Sequence, residues 1–190
     1  MIKAILLLIT MILIAGCTSR NVIKSDKGAE AQSHYKIIRH DLKVVLNPKE
    51  HRFIAEDTIT VPEHLKTDLR FRIHSGFKIE PDVAIIKEGV IIKSEDVPIE
   101  SFLVRLPYDT NTFTLKYSGA IHYPLEQDGK EEARGIKQTL GIISEEGVYL
   151  EKESYWYPVF DNGLVTFNLH IELPSEWDAV SQGERLLHVK

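Results

Sequence analysis

The sequence predicts an all-β protein, an antiparallel β-sandwich or a strongly twisted pair of sheets. Three observations carry this prediction. Apolar and polar residues alternate with a period of two from Tyr35 onward, turn-forming dipeptides separate the alternating stretches, and the composition is typical of a folded domain. The 190 residues are 43% hydrophobic and 27% charged, with one cysteine and a formal net charge of −5. These values exclude a disordered or disulfide-stapled chain and favour a single domain.

The clearest strands are three stretches in which one face is apolar and the other polar. They place Leu69, Phe71 and Ile73, then Phe113, Leu115 and Tyr117, then Val165, Phe167, Leu169, Ile171 and Leu173 on apolar faces. Weaker alternation marks Leu42/Val44/Leu46, Phe102/Val104/Leu106 and Phe53/Ala55/Ile59/Val61, the last interrupted by Asp57. Turn signals such as Asn47-Pro48, Ser75-Gly76 and Asp161-Asn162-Gly163 lie between them. The spacing is typical of antiparallel sheets.

One stretch departs from this alternation. Residues 122–147 are rich in Gly, Glu and Lys, and we expect a long loop with one short helix around Lys130–Arg134. Long loops in compact domains commonly carry contacts with other molecules. This loop is therefore one candidate docking region.

The N-terminus has the order of a secretory signal. A lysine precedes an apolar run, Ala4–Gly16, which is too short for the roughly 20 residues of a membrane-spanning helix. Leu13-Ile14-Ala15-Gly16-Cys17 resembles the bacterial lipobox, in which the chain is cut before a cysteine that becomes lipidated. We therefore predict a signal peptide over residues 1–16, a lipidated Cys17 with a flexible polar tether over 17–33, and a folded domain over 34–190.

The predicted anchor makes the lipid bilayer one partner of the protein. Thr18 follows the cysteine where an aspartate would favour inner-membrane retention, so the resemblance to Gram-negative lipoproteins favours the outer membrane, at its periplasmic face or the cell surface. The chain has no cluster of lysine and arginine, so a nucleic-acid partner is not expected.

No complete catalytic constellation is present in the sequence. The eight histidines are scattered and none belongs to a His-Glu-x-x-His helix, and there is no phosphate loop or nucleophile elbow. His170 and Glu172 share a strand face and are the only metal-ligand pair worth noting, although a solvated polar face explains them better. We expect no catalytic residue, no metal and no cofactor in this chain.

The densest aromatic run is Tyr155, Trp156 and Tyr157, followed by Pro158 and Phe160. Aromatic residues with polar tips are favoured at interfaces, and ordinary core packing explains the run equally well. Glu151 and Glu153 precede it, and a strand at this point would direct both carboxylates to the same side.

The last third of the chain resembles the closing part of the N-terminal domain of the aminopeptidase N family, the gluzincin zinc aminopeptidases. The similarity lies in Gly141–Leu150, in Glu153-Ser154-Tyr155-Trp156-Tyr157-Pro158, in Val165–Pro174 and in Trp177 with Ala179–Gly183. Tyr35–Val44 and Arg52–Pro62 resemble the opening hairpin of that domain. The similarity therefore covers about residues 35–190.

This resemblance implies a saddle-like β-domain that packs on a thermolysin-like catalytic domain and helps to close the substrate cleft. Zinc would be held only by that catalytic domain, whose His-Glu-x-x-His motif this chain lacks. By position, Glu151 or Glu153 would reach the pocket for the free amine of a peptide substrate, and Tyr155, Trp156 and Tyr157 would form the interface. The alternative is a stand-alone surface lipoprotein that binds a partner or acts as a scaffold, and an independent hydrolase is the weakest interpretation.

Overall fold

The computed structural model describes residues 36–92, 97–127, 137–161 and 163–189. The predicted signal peptide, Cys17, the tether and the predicted helix around Lys130–Arg134 lie outside the described residues. Among those described, no helix is both long and apolar enough to cross a bilayer. The predictions about lipidation and membrane attachment therefore stay predictions.

Thirteen strands form the described fold, joined by short 3-10 turns at Pro48–Glu50, Glu63–Asp68 and Lys152–Ser154. The strands are β1 (Lys36–Asn47), β2 (Arg52–Thr60), β3 (Leu69–His74), β4 (Lys78–Pro81), β5 (Ala84–Ile92), β6 (Pro98–Arg105), β7 (Thr112–Ala120), β8 (Glu126–Gln127), β9 (Lys137–Gln138), β10 (Ile142–Ile143), β11 (Val148–Tyr149), β12 (Val159–Phe160) and β13 (Gly163–Glu172). The predicted all-β class is confirmed.

Two larger sheets carry the fold. Sheet A has the order β13-β1-β2-β7-β4 and sheet B has the order β12-β3-β6-β5. All pairs are antiparallel except β1 with β13, which run parallel from Lys36↔Gly163 to Val45↔Glu172. The alternation that predicts the individual strands contains no information about this long-range parallel pairing.

The main core lies between the apolar faces of the two sheets. Sheet A contributes Phe53 and Phe113 and sheet B contributes Phe71, all essentially inaccessible to solvent. Phe71 stacks on Phe102 with ring centroids 5.2 Å apart. Burial of these rings is the dominant stabilising term, about 1.5–3 kcal/mol for each large apolar side chain.

One close approach requires a glycine. A Cβ atom on Gly119 would lie 2.2 Å from the ring of Phe77, which sits edge-on to Phe53 at a centroid distance of 5.0 Å. Any side chain at this position would therefore displace an aromatic ring from the core.

The described parts of the predicted loop 122–147 contain short strand pairs. Strands β8 and β9 pair with each other, β10 pairs with β11, and His122 bridges to Ile142. Ile143 is fully buried in the main core, which explains why this end of the loop is fixed. Sequence alternation misses such two-residue strands because they are too short to show a period.

Candidate functional site

The segment that precedes the aromatic run is a 3-10 turn, Lys152–Ser154, and not a strand. The Ser154 hydroxyl donates to the Glu151 carbonyl at 2.7 Å, and the Tyr155 N–H donates to the Lys152 carbonyl at 3.0 Å. Tyr155 closes the turn in the left-handed region, with φ 52°. Glu151 and Glu153 are both exposed on this turn.

The three predicted interface aromatics differ in their surroundings. Tyr155 is only 4% exposed and belongs to a second small core with Val97, Ile99 and Val159. Trp156 and Tyr157 are half-buried, pack against the main core and contact each other edge to face at 5.2 Å. The accessible part of the predicted interface is therefore carried by Trp156 and Tyr157 together with Glu153. We call these three residues the aromatic-acid surface.

A buried polar pair lies beneath this surface. His40 Nδ1 and Asp57 Oδ2 are 2.7 Å apart, and the two side chains are 2% and 0% exposed. His40 contacts the edge of Tyr157 at a centroid distance of 5.8 Å and lies at the same distance from Phe160. The pair thus joins β1 and β2 of sheet A to the aromatic segment.

Three polar atoms of this region have no hydrogen-bond partner within the described part of the chain. They are His40 Nε2, Asp57 Oδ1 and Tyr117 Oη. Tyr117 lies on β7 opposite Ala55, so it is diagonal to Asp57 on the same inward face. Burial raises the pKa of Tyr117 well above its usual range, and the charge of Asp57 and the neighbouring Tyr157 raise it further. The phenol therefore stays neutral.

Tyr157 connects the buried pair to the exposed turn. Burial raises the pKa of its phenol, and the negative charges of Glu153 and Asp57 raise it further. Of these two carboxylates, Glu153 is exposed and Asp57 is buried. Glu151 is not among the groups whose charge raises the pKa of Tyr157.

A second histidine is held in a defined tautomer at the end of β3. The Gly76 N–H donates to His74 Nδ1 at 3.0 Å, so the proton of the neutral ring lies on Nε2, which is 2.8 Å from the Tyr123 hydroxyl. Burial lowers the pKa of His74. Protonation of Nδ1 would also break the bond from Gly76, so the geometry and the pKa shift agree.

Two further histidines meet where loop 122–147 returns to sheet A. The rings of His51 and His122 lie 4.3 Å apart, and His51 Nδ1 is 2.7 Å from the Ile143 carbonyl. Hydrogen bonds from Ser144 and from its own backbone lower the pKa of Glu146, and His51 and His122 lower it further. The sequence pattern did not predict that these residues meet.

The residues considered for metal binding do not converge. His170 Nε2 and Glu172 Oε1 are 3.7 Å apart on β13, and both side chains are largely exposed. Within the described ranges, no three His, Cys, Asp or Glu side chains are grouped so that they could hold a metal ion. The expectation that this chain binds no metal and no cofactor stays a prediction.

Comparisons with known proteins find similarity to solved structures alone. No protein-family model and no curated protein matches the chain. Among solved structures, the chain is similar to an M1 zinc metallopeptidase from Deinococcus radiodurans, with 16% identity and a TM-score of 0.32. A mutant of that enzyme bound to a Tyr-Ser-Ala substrate gives 15% identity and the same TM-score. The match covers 80% of this chain, which spans 36% of the length of either structure. Membership of the aminopeptidase N family therefore stays a prediction.

The sequence carried a signal for the buried pair. Asp57 lies in the apolar phase of Phe53, Ala55 and Ile59, and His40 lies in the apolar phase of β1. Two polar residues at inward positions of adjacent strands indicate a buried pair, because an isolated buried charge is costly. The interpretation of Asp57 as an interruption of the alternation therefore overlooked its pairing with His40.

Proposed function

We propose that this chain is the non-catalytic β-domain of a zinc-aminopeptidase-like lipoprotein. It covers and helps to shape the substrate cleft of a catalytic domain outside this chain. Cys17 tethers it to the cell envelope, with the outer membrane favoured. The observation that carries the proposal is the aromatic-acid surface, a half-exposed aromatic pair beside an exposed carboxylate, within the segment of strongest family resemblance.

The chemistry of this surface suits the free amine of a peptide. A carboxylate binds an ammonium group by charge-assisted hydrogen bonds, and a neighbouring aromatic face adds a favourable cation–π term. Glu153 is the better candidate of the two glutamates because its charge acts on the Tyr157 phenol. Water would be partly excluded when a second domain covers Trp156, which strengthens the pairing.

The turn that presents Glu153 is held in place by hydrogen bonds and by packing. Its hydrogen bonds within Glu151–Tyr155 fix the backbone, and Tyr157 rests on His40 of the buried pair. Binding groups on such a fixed support lose little conformational entropy when a ligand arrives. This arrangement is what we expect of a preformed edge of a substrate cleft.

The first test is the nucleotide sequence downstream of codon 190, read in all three frames. The proposal expects an encoded domain with a His-Glu-x-x-His motif, and its absence would contradict the proposal and favour a stand-alone binding or scaffold lipoprotein.

The second test combines the encoded domain with this chain and measures hydrolysis of aminoacyl anilides. We expect Glu153→Gln to raise KM about tenfold or more, since a charged hydrogen bond contributes about 1.5–3 kcal/mol. The matched control Glu151→Gln should change KM less than about twofold. Equal effects of the two substitutions would refute the role assigned to Glu153.

A further inference from the structure

Strand β13 forms an edge of sheet A. It pairs with β1 along its whole length, from Gly163 to Glu172, and among the described residues no strand lies on its other side. Natural edge strands are usually short or blocked by proline, lysine or a bulge. Strand β13 has ten residues and contains no proline, lysine or arginine. Within the described ranges, no further backbone hydrogen bond reaches its outer edge, which leaves that edge open to pairing with another strand.

Apolar side chains of β13 are exposed on both of its faces. Val165 and Phe167 lie opposite Ile38 and His40 of β1, so they share the inward face of sheet A. They are nevertheless 37% and 42% exposed. Leu164, on the opposite face, is 55% exposed. An exposed, long and apolar edge is a template for strand addition.

We infer that two copies of this chain associate by antiparallel pairing of their β13 strands, which would extend sheet A from five strands to ten. The inference concerns a different surface from the aromatic-acid surface and does not rest on the proposed function.

The sequence of β13 is complementary to itself in this arrangement. A two-fold axis at Phe167 sets Phe167 against its own copy and Val165 against Leu169, so the inward face pairs apolar residues only. On the other face Thr166 meets Asn168 and Leu164 meets His170. No two like charges face each other within this register, and such facing charges would weaken a sheet.

The symmetry makes the assembly closed. Identical strands that pair antiparallel about a two-fold axis give an isologous dimer, and each copy uses its only β13 edge once. The pairing surface of a single strand is small, so we expect a weak dimer whose population rises with concentration.

The test is disulfide cross-linking of the full chain in membranes of a bacterial host. In an antiparallel pair, directly opposed Cα atoms lie about 4.5 or 5.5 Å apart, and both distances suit a disulfide. Phe167→Cys should therefore yield a disulfide-linked dimer under mild oxidation.

Two controls accompany it. The unsubstituted chain reports any cross-linking through Cys17. Ile54→Cys places a thiol at a site that is 63% exposed on the central strand β2 of the same sheet. The inference expects at least severalfold faster dimer formation for Phe167→Cys than for Ile54→Cys. Equal rates, a monomer only, or a cross-link to a different protein would overturn it.

Light scattering of the detergent-solubilised full chain gives a second measurement that needs no cysteine at Phe167. The unsubstituted chain should approach twice the monomer mass as concentration rises. Phe167→Glu should stay monomeric because it sets two like charges directly opposite each other at the two-fold axis, and Ile54→Glu should dimerise like the unsubstituted chain. A chain that is monomeric at every concentration, or one that forms open-ended assemblies, would overturn the inference.

Discussion

Removing one partner of the buried His40–Asp57 pair should destabilise the domain strongly. Asp57→Leu leaves the His40 ring buried without its 2.7 Å partner, and both side chains are essentially inaccessible to solvent. Breaking a buried pair in this way typically costs about 3–5 kcal/mol, which is a large part of the 5–15 kcal/mol that stabilises an ordinary domain. For a domain of this size the midpoint of thermal unfolding should fall by about 6–20 °C.

The measurement is urea unfolding of residues 35–190, followed by far-ultraviolet circular dichroism. Asp41→Leu is the matched control, because Asp41 is a solvent-accessible carboxylate on the same strand as His40 and pairs with Arg39. Exposed pairs of this kind contribute about 0–1 kcal/mol.

The double variant His40→Phe/Asp57→Leu should recover part of the loss, since an apolar pair of similar size leaves no unpaired polar group at either of these two positions. If Asp57→Leu cost no more than Asp41→Leu, the reasoning about the buried pair would be refuted.

Three further predictions concern the anchor, catalysis and pH. Cys17→Ser should release the protein from the membrane fraction, because the apolar run before it is too short to span a bilayer; persistent membrane association that requires detergent would refute the anchor. Residues 18–190 should not hydrolyse aminoacyl anilides with or without added zinc, and turnover that a chelator abolishes would show otherwise. Burial lowers the pKa of His74 in the folded domain. As the pH falls below about 6.5, the unfolded chain is therefore protonated before the folded one, and the free energy of unfolding should fall until the pH passes the lowered pKa. His74→Gln should remove this part of the pH dependence, with His64→Gln at an exposed site as the control, and an unchanged profile for His74→Gln would contradict it.

The sequence predicts the strands well where one face is buried. Leu69, Phe71 and Ile73, like Phe113, Leu115 and Tyr117, alternate because every second side chain faces the core between the sheets. The same alternation cannot reveal which strands are neighbours. The parallel pairing of β1 with β13 joins residues more than 120 positions apart and has no local signature.

The candidate site was only partly predictable for a related reason. The side of the turn to which Glu151 and Glu153 point depends on the backbone, and the hydrogen bonds of Ser154 and Tyr155 favour a 3-10 turn over an extended strand. The effect of the Glu153 charge on Tyr157 therefore could not be predicted from the sequence. The aromatic run likewise divides into a buried Tyr155 and a half-buried Trp156, which depends on tertiary packing.

Acrylamide quenching of Trp156 fluorescence tests the central claim most directly. Trp177→Phe leaves Trp156 as the single tryptophan, and the measurement compares residues 18–190 alone with the same chain mixed with the encoded zinc-peptidase domain. The account predicts appreciable quenching in the isolated chain, because Trp156 is half-buried, and a severalfold decrease when the second domain covers it. A Trp156 that is fully shielded in the isolated chain, or equally quenched with and without the second domain, would contradict the account.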